Sequence, residues 1–252
     1  MRLTYRTDDG IARRARLGLI VLQVDETVES EFHRLTAIDG VAVYVSRVPS
    51  GAQLNEETIL AMEAEIPAAA CLFPPVAEFG VIGYACTSGA TIIGPRNVAA
   101  AVRNAGGGHR FAGAVITDPL TAVKAAARAL NVIRLGFVSP YVPGVSAAMR
   151  AALEADGFTI STFGSFEQSE EAVVARISAQ SVYDAMLRVG QSADCDAVFV
   201  SCTNIRTLEV LPDAEQALGL PIVTSNQALA WHMLRLAGIE GQLPDHGRLM
   251  SV

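Results

Sequence analysis

The sequence has little that would mark a membrane, metal or nucleic-acid protein. Its apolar stretches are short, broken by Gly or Pro, and well under the roughly 20 residues a spanning helix needs. No association with a membrane is expected. No basic run occurs in a chain of net charge −7, which argues against nucleic acid as a partner. The four cysteines, at positions 71, 86, 195 and 202, show no C-x-x-C spacing and no nearby histidine pair. A zinc site is therefore not indicated. No Walker A loop or G-x-G-x-x-G motif is present, and Gly106-Gly107-Gly108 follows no strand, so it reads as a loop rather than a phosphate cradle. No cofactor and no metal are expected. His33, His109 and His246 form no constellation with a serine and an aspartate, which leaves no hydrolase triad, and His232 reads as a packed side chain. Residues 1–16 mix arginine with Asp8, Asp9 and Gly10 and hold no apolar core. They do not read as a signal peptide, so the expected compartment is the cytoplasm, with the cysteines as free thiols.

What the sequence does have is a core and a rhythm. Of 252 residues, 51% are apolar and 18% charged, the balance of a globular chain long enough for one large or two small domains. Strand-like apolar runs over 17–22, 41–45, 79–85, 113–116, 134–138, 158–163, 197–200 and 220–223 alternate with helical stretches. Helices are expected after Thr27 to about 35, and from 55 to 72, 94 to 105, 121 to 130, 144 to 156, 181 to 189, 206 to 218 and 227 to 236. Such alternation predicts an α/β fold with parallel sheets. The pattern also repeats. Leu17-Gly18-Leu19-Ile20 matches Leu135-Gly136-Phe137-Val138 at an offset of about 118, and Cys86 matches Cys202 at about 116. Val115-Ile116-Thr117 pairs with Ile222-Val223-Thr224. Two pseudo-symmetric lobes are expected, each a four-stranded parallel sheet flanked by helices. Residues 1–117 with 225–252 would form one lobe and 118–224 the other, with the active-site cleft between them.

The two cysteine turns carry the chemistry. Gly83-Tyr84-Ala85-Cys86-Thr87-Ser88-Gly89 and Ser201-Cys202-Thr203-Asn204 each end a strand in a cysteine and then polar residues. A free cysteine is commonly just a small buried hydrophobe. Here, however, each is followed by groups able to bind a carboxylate: Thr87, Ser88 and Gly89, then Thr203 and Asn204. A helix after each turn would point its positive end at the thiol. Two opposed thiols can remove a proton from one face of a carbon and return one on the other, or add to it. Cys71, at an apolar helix end, and Cys195, between Asp194 and Asp196, read as structural or incidental.

These motifs, with Leu22-Gln23-Val24-Asp25-Glu26-Thr27, Val45-Ser46-Arg47-Val48-Pro49, Ser139-Pro140-Tyr141 and Asn226-Gln227-Ala228-Leu229-Ala230-Trp231, resemble the aspartate/glutamate racemase superfamily. The resemblance covers nearly the whole chain and lies in the branch of maleate cis-trans isomerase and arylmalonate decarboxylase. Within that branch the chain is most similar to the ectoine-utilisation protein A group. It implies a cofactor-independent isomerase or racemase, with a homodimer as the expected assembly. Cys86 would be the nucleophile or first base and Cys202 the opposite acid/base, and Tyr141 would offer its hydroxyl to a substrate carboxylate. Arylmalonate decarboxylases keep only the second cysteine. Maleate isomerases carry an asparagine where this chain has Asp25, and a second one near Glu170 or Glu171. Asp25 reads as a helix cap, a substrate ligand, or both; Glu171 reads as a solvated helix start. Acids at such positions would repel a dicarboxylate and suit a substrate with one carboxylate and an amine, such as a diaminobutyrate derivative. The alternatives are maleate isomerisation proper, arylmalonate-type decarboxylation, or a non-enzymatic sensor of small carboxylates. Arg47 reads as an anion partner or a surface salt bridge, and Arg206 as facing away from the cleft or tying the helix down.

Overall fold

The computed structural model describes residues 1–53, 55–75, 77–191 and 194–252. Two parallel four-stranded sheets form its framework. In the first, β1 (Ala15–Leu22), β2 (Val41–Val48), β3 (Val81–Ala85) and β4 (Val115–Thr117) lie in the order β2-β1-β3-β4. In the second, β5 (Arg134–Tyr141), β6 (Thr159–Gln168), β7 (Ala197–Val200) and β8 (Ile222–Thr224) lie in the order β6-β5-β7-β8. The topologies are identical, as the internal repeat predicts. Among the described residues, no helix is long and apolar enough to cross a membrane.

The helices are α1 (Val28–Leu35), α2 (Glu56–Cys71), α3 (Thr87–Ile93), α4 (Pro95–Asn104), α5 (Pro119–Ala129), α6 (Pro143–Glu154), α7 (Glu171–Val174), α8 (Ala179–Gln191), α9 (Leu211–Leu218) and α10 (Ser225–Leu236). Several starts are written in the sequence. Asn55 and Thr58 form a reciprocal capping box on α2, Asp118 caps α5 through Thr121 N–H, and Thr224 caps α10 through Gln227 N–H. The central strands β1, β3, β5 and β7 are almost wholly buried, because helices cover both faces of a parallel sheet. Gly18 and Gly136 hold the same place in the two lobes. A Cβ at Gly18 would stand 3.1 Å from Ile82 and Phe73, and one at Gly136 would stand 2.8 Å from Val189. Each glycine lets the next layer approach its sheet closely. The second core is closed by Phe137 stacked on Phe199 at 5.2 Å. The last helix, α10, packs on α5, α1 and β3.

The structure departs from the sequence expectations in several places. A short helix, α3, follows Cys86 directly, although Thr87-Ser88-Gly89 is poor helix-forming sequence. Gly94, at φ +90°, then separates it from α4. The helix expected over 206–218 begins only at Leu211, so Thr203 to Val210 is irregular and no helix starts at Cys202. Strands β2, β5 and β6 run on through Val48, Tyr141 and Gln168 rather than stopping at Val45, Val138 and Phe163. Finally, the register places Thr117 opposite Gly83 and Val223 opposite Phe199. The last strands of the two lobes therefore correspond as Thr117 to Val223, one residue away from the match read off the sequence. That register makes the two caps, Asp118 and Thr224, equivalent.

Candidate active site

Strand register puts the two cysteines at equivalent points. Leu19 pairs with Gly83 in the first sheet, and Phe137 pairs with Phe199 in the second. Three residues further on stand Cys86 and Cys202, both buried. Their backbones differ. Cys86 is extended and is the N-cap of α3, its Sγ accepting from Gly89 N–H at 3.2 Å. Cys202 has φ +105°, in the region that favours glycine, and its Sγ accepts from Asn204 N–H at 3.2 Å. A non-glycine residue held there costs about 1–3 kcal/mol, a strain found chiefly at functional sites.

The turns are tied to one another. Thr87 donates its hydroxyl to Ser225 Oγ at 2.9 Å, and the same oxygen accepts from Cys202 N–H at 3.1 Å. Thr203 Oγ1 donates to the carbonyl of Ala85, the residue before Cys86, at 3.3 Å. Ser225, the first residue of α10, thus bridges the two cysteine turns; nothing in its own sequence surroundings marks it for that role.

Around the thiols lie two buried carboxylates. Asp25 Oδ1 accepts from Thr27 N–H and Val28 N–H at 2.9 and 2.8 Å, a cap for the start of α1, while Oδ2, with Thr203 nearby, accepts no hydrogen bond of ordinary geometry among the described residues. Glu171 is 2% exposed, not the solvated helix start that the sequence suggests. Its Oε1 accepts from Tyr141 Oη at 2.7 Å and its Oε2 from Asn204 Nδ2 at 2.8 Å. Tyr141 Oη also lies 3.0 Å from Cys202 Sγ. The chain turns Glu171 inward because Glu171 N–H donates to Ala52 of the first lobe, fixing the entry to α7. Burial pushes both carboxyl groups above their ordinary range. Burial also lifts the thiols, Cys86 to about 12 and Cys202 well above the ordinary cysteine value, and the charges of Glu171 and Asp25 add to both shifts. Among the described residues, no Lys, Arg or His side chain hydrogen-bonds either carboxylate.

The polar residues expected to bind substrate are therefore all present, and most are already engaged. Asn204 accepts from Glu26 N–H, donates to Glu171, and offers its carbonyl to Thr27 Oγ1. Thr87 and Thr203 spend their hydroxyls inside the site. Ser88 is buried at the start of α3 beside them. The structure gathers Asp25, Cys86, Thr87, Ser88, Tyr141, Cys202, Thr203 and Asn204 at one place, and adds Glu171 and Ser225.

Other candidates fall away from it. The Arg47 guanidinium pairs with Glu29 and donates to the carbonyls of Leu22, Gln23 and Asp25, so it braces the β1–α1 turn. Arg206 donates to Ile177 O. His232 is half-buried against Thr117 Oγ1 at 2.9 Å. Cys71 is exposed, and Cys195 is buried with its Sγ toward Gly190 O. Among the described residues, no cluster of three His, Cys, Asp or Glu side chains could hold a metal. Two buried groups escape a reading of the sequence. Tyr84, two residues before Cys86 on the same side of β3, is fully buried. Glu31 lies on the buried stripe of α1 with Val28, Phe32 and Leu35. An acid at a core position of an amphipathic helix is the signal that could have found it.

Residues 112–250, more than half of the chain, match the arylmalonate decarboxylase (Amdase) family. The arylmalonate decarboxylase of Bordetella bronchiseptica is 31% identical over 137 residues, which span 54% of this chain and 57% of that protein. The maleate isomerase of Nocardia farcinica is 29% identical over 243 residues, covering 93% of this chain and 95% of its own. Among solved structures, maleate cis-trans isomerase of Nocardia farcinica bound to TRIS superposes with a TM-score of 0.81 at 26% identity, over 94% of this chain and 98% of that one. A cysteine-to-serine mutant of the same enzyme carries a covalently bound succinylcysteine intermediate, and it too superposes with a TM-score of 0.81, at 25% identity over 94% and 98% of the two chains. The chain is an enzyme of the isomerase class, as are these relatives that span it. It belongs to the arylmalonate decarboxylase family, in the branch that holds the maleate cis-trans isomerases.

Proposed function

We propose that the chain is a cofactor-independent racemase or isomerase acting on a small carboxylate that also bears an amine. Cys86 acts as thiolate and Cys202 as proton donor. The observation that carries this reading is the pair of thiols at equivalent strand ends, closed into one buried site with two carboxylates, neither of which, among the described residues, accepts a hydrogen bond from a basic side chain. In racemisation, the Cys86 thiolate takes the α-proton from one face and Cys202 delivers its thiol proton to the other. In isomerisation, the thiolate adds to an alkene carbon while Cys202 protonates its neighbour; rotation and reversal of both steps release the isomer. The succinylcysteine adduct of the Nocardia relative supports the second route.

Asp25 and Glu171 support an amine on the substrate. A second substrate carboxylate about 4 Å from either would be repelled by roughly 4 kcal/mol at an effective dielectric near 20, and an ammonium would be attracted by as much. A bound ammonium would also offset the two charges that push both thiols up, so substrate entry itself would favour the reactive thiolate. The resemblance to the ectoine-utilisation protein A group makes a diaminobutyrate derivative the first compound to try. Decarboxylation of an activated malonate is the second reading, favoured by the family match over residues 112–250. Proton NMR in deuterated buffer, against maleate, aspartate, glutamate, hydantoin and diaminobutyrate derivatives, tests these readings. Loss of the α-proton signal from an amine-bearing acid is expected. Efficient turnover of maleate, with no exchange in any amine-bearing acid, would refute the proposed substrate class.

A further inference from the structure

Each thiol has a phenol beside it, and the two phenols are wired differently. Tyr141 Oη lies 2.7 Å from Glu171 Oε1 and 3.0 Å from Cys202 Sγ. A phenol has one proton to donate. The carboxylate is the stronger acceptor and takes it, so the Tyr141 oxygen is left to accept the S–H of Cys202.

Tyr84 has no carboxylate. It is fully buried, and its hydroxyl makes no hydrogen bond of ordinary geometry among the described residues. It does lie against Cys86. A Cβ placed on Gly89 would stand 2.7 Å from Tyr84 Oη and 2.9 Å from Cys86 Sγ. Hydroxyl and thiol therefore converge on the space that Gly89 leaves open. Gly89 N–H already donates to the same sulfur at 3.2 Å. A neutral thiol is a weak acceptor and a thiolate a strong one, so a phenol held beside it favours the ionised form selectively.

We propose that this difference in wiring assigns the roles of the two cysteines: Tyr84 is a positioning residue that donates to the Cys86 thiolate, and Glu171, acting through Tyr141, keeps Cys202 a thiol. The inference rests on the two-cysteine reading above. Burial raises the Tyr84 phenol well above its ordinary value, so Tyr84 remains a donor and does not itself become the base. Among the described residues, the charged and titratable groups facing Cys86 are Glu171, Asp25, Tyr84 and Tyr141; those facing Cys202 are Glu171, Tyr141 and Asp25. Glu171 is wired to Cys202 through a hydrogen-bond chain, whereas its effect on Cys86 is that of a nearby charge alone.

The test is alkylation by iodoacetamide at pH 8 with each cysteine followed by mass spectrometry. Buried Cys195, outside the site, serves as the control for general loosening. In the parent protein Cys86 is expected to label faster than Cys202. A one-unit rise in thiol pKa cuts the thiolate about tenfold, and the more basic sulfur regains about a factor of three in nucleophilicity. Tyr84→Phe is therefore expected to slow Cys86 about threefold or more while Cys202 and Cys195 keep their rates. Gly89→Ala, which puts a methyl group between hydroxyl and thiol, is expected to do the same. Glu171→Ala is expected to speed Cys202. Unchanged Cys86 labelling in both Tyr84→Phe and Gly89→Ala would overturn the proposal, as would equal slowing of Cys86, Cys202 and Cys195. Labelling needs no substrate, so failure of every acid tried as a substrate would count against the functional reading and leave this result interpretable.

Discussion

Replacing Glu31 with alanine would remove the acceptor that ties α1 to the segment behind the second cysteine. Glu31 Oε1 accepts from Thr207 N–H at 2.7 Å and Leu208 N–H at 2.9 Å, and Oε2 accepts from Asn226 Nδ2 at 2.8 Å and Thr207 Oγ1 at 3.2 Å. The side chain is 6% exposed, so water does not replace it readily. Alanine leaves two buried backbone N–H groups without partners, at about 1–3 kcal/mol each. Relief of the buried carboxylate's own desolvation offsets part of that. A net loss of about 3 kcal/mol follows, or about 6–12 °C in Tm at roughly 2–4 °C per kcal/mol for a chain of this size. Glu31→Gln keeps one oxygen for the two backbone N–H groups and is expected to lose only about 1 kcal/mol.

The pH dependence isolates the carboxylate. Burial holds the Glu31 carboxyl above its ordinary range, so the folded protein binds that proton more tightly than the unfolded chain does. The corresponding stability is fully present below the ordinary glutamate pKa and is lost as pH rises through the raised folded value. Wild type and Glu31→Gln should therefore draw closer in stability across that window. Thermal unfolding followed by circular dichroism from pH 4 upward is the assay. An alanine variant melting within about 1 °C of wild type would refute the assignment of Glu31 as an inter-lobe anchor.

Three further outcomes follow from the packing. Phe137→Ala removes a fully buried ring stacked on Phe199 and is expected to lower stability by about 3–5 kcal/mol in urea unfolding. Arg176→Ala breaks a two-point pair with Glu26 whose side chains are 64% and 51% exposed; urea unfolding is expected to match wild type within error, with any difference fading at high salt. Cys71→Ser alters an exposed thiol at the end of α2, away from both cysteine turns; turnover and Tm are expected to match wild type.

Much of this arrangement is legible before any coordinates. The repeated apolar runs beginning at Leu17 and Leu135, each with glycine second, mark paired buried strands because a strand covered on both faces has no polar side to show. The equivalence of Cys86 and Cys202 follows from the same spacing. Other features are written in tertiary contact and not in local sequence. The α3 helix forms on Thr87-Ser88-Gly89 because Cys86 caps it and the lobes bury it, against its own propensity. Residues 206–210 look helical, yet Glu31, 176 positions before Thr207, captures the backbone N–H groups of Thr207 and Leu208. Glu171 looks like a solvated acid until its N–H finds Ala52 and its carboxylate finds Tyr141 and Asn204. Ser225 joins two turns that are 138 residues apart from it in one case and 23 in the other, a relation no local window contains.

The central claim is that both thiols move protons or form bonds on one substrate. The most direct measurement is solvent-deuterium incorporation into the acid that wild type turns over, recorded by proton NMR for wild type, Cys86→Ala and Cys202→Ala, with circular dichroism confirming the fold of each. Wild type is expected to wash in label and release the isomer, and each single variant to lose isomer formation. Near-normal isomer formation by either correctly folded variant would contradict the two-cysteine mechanism.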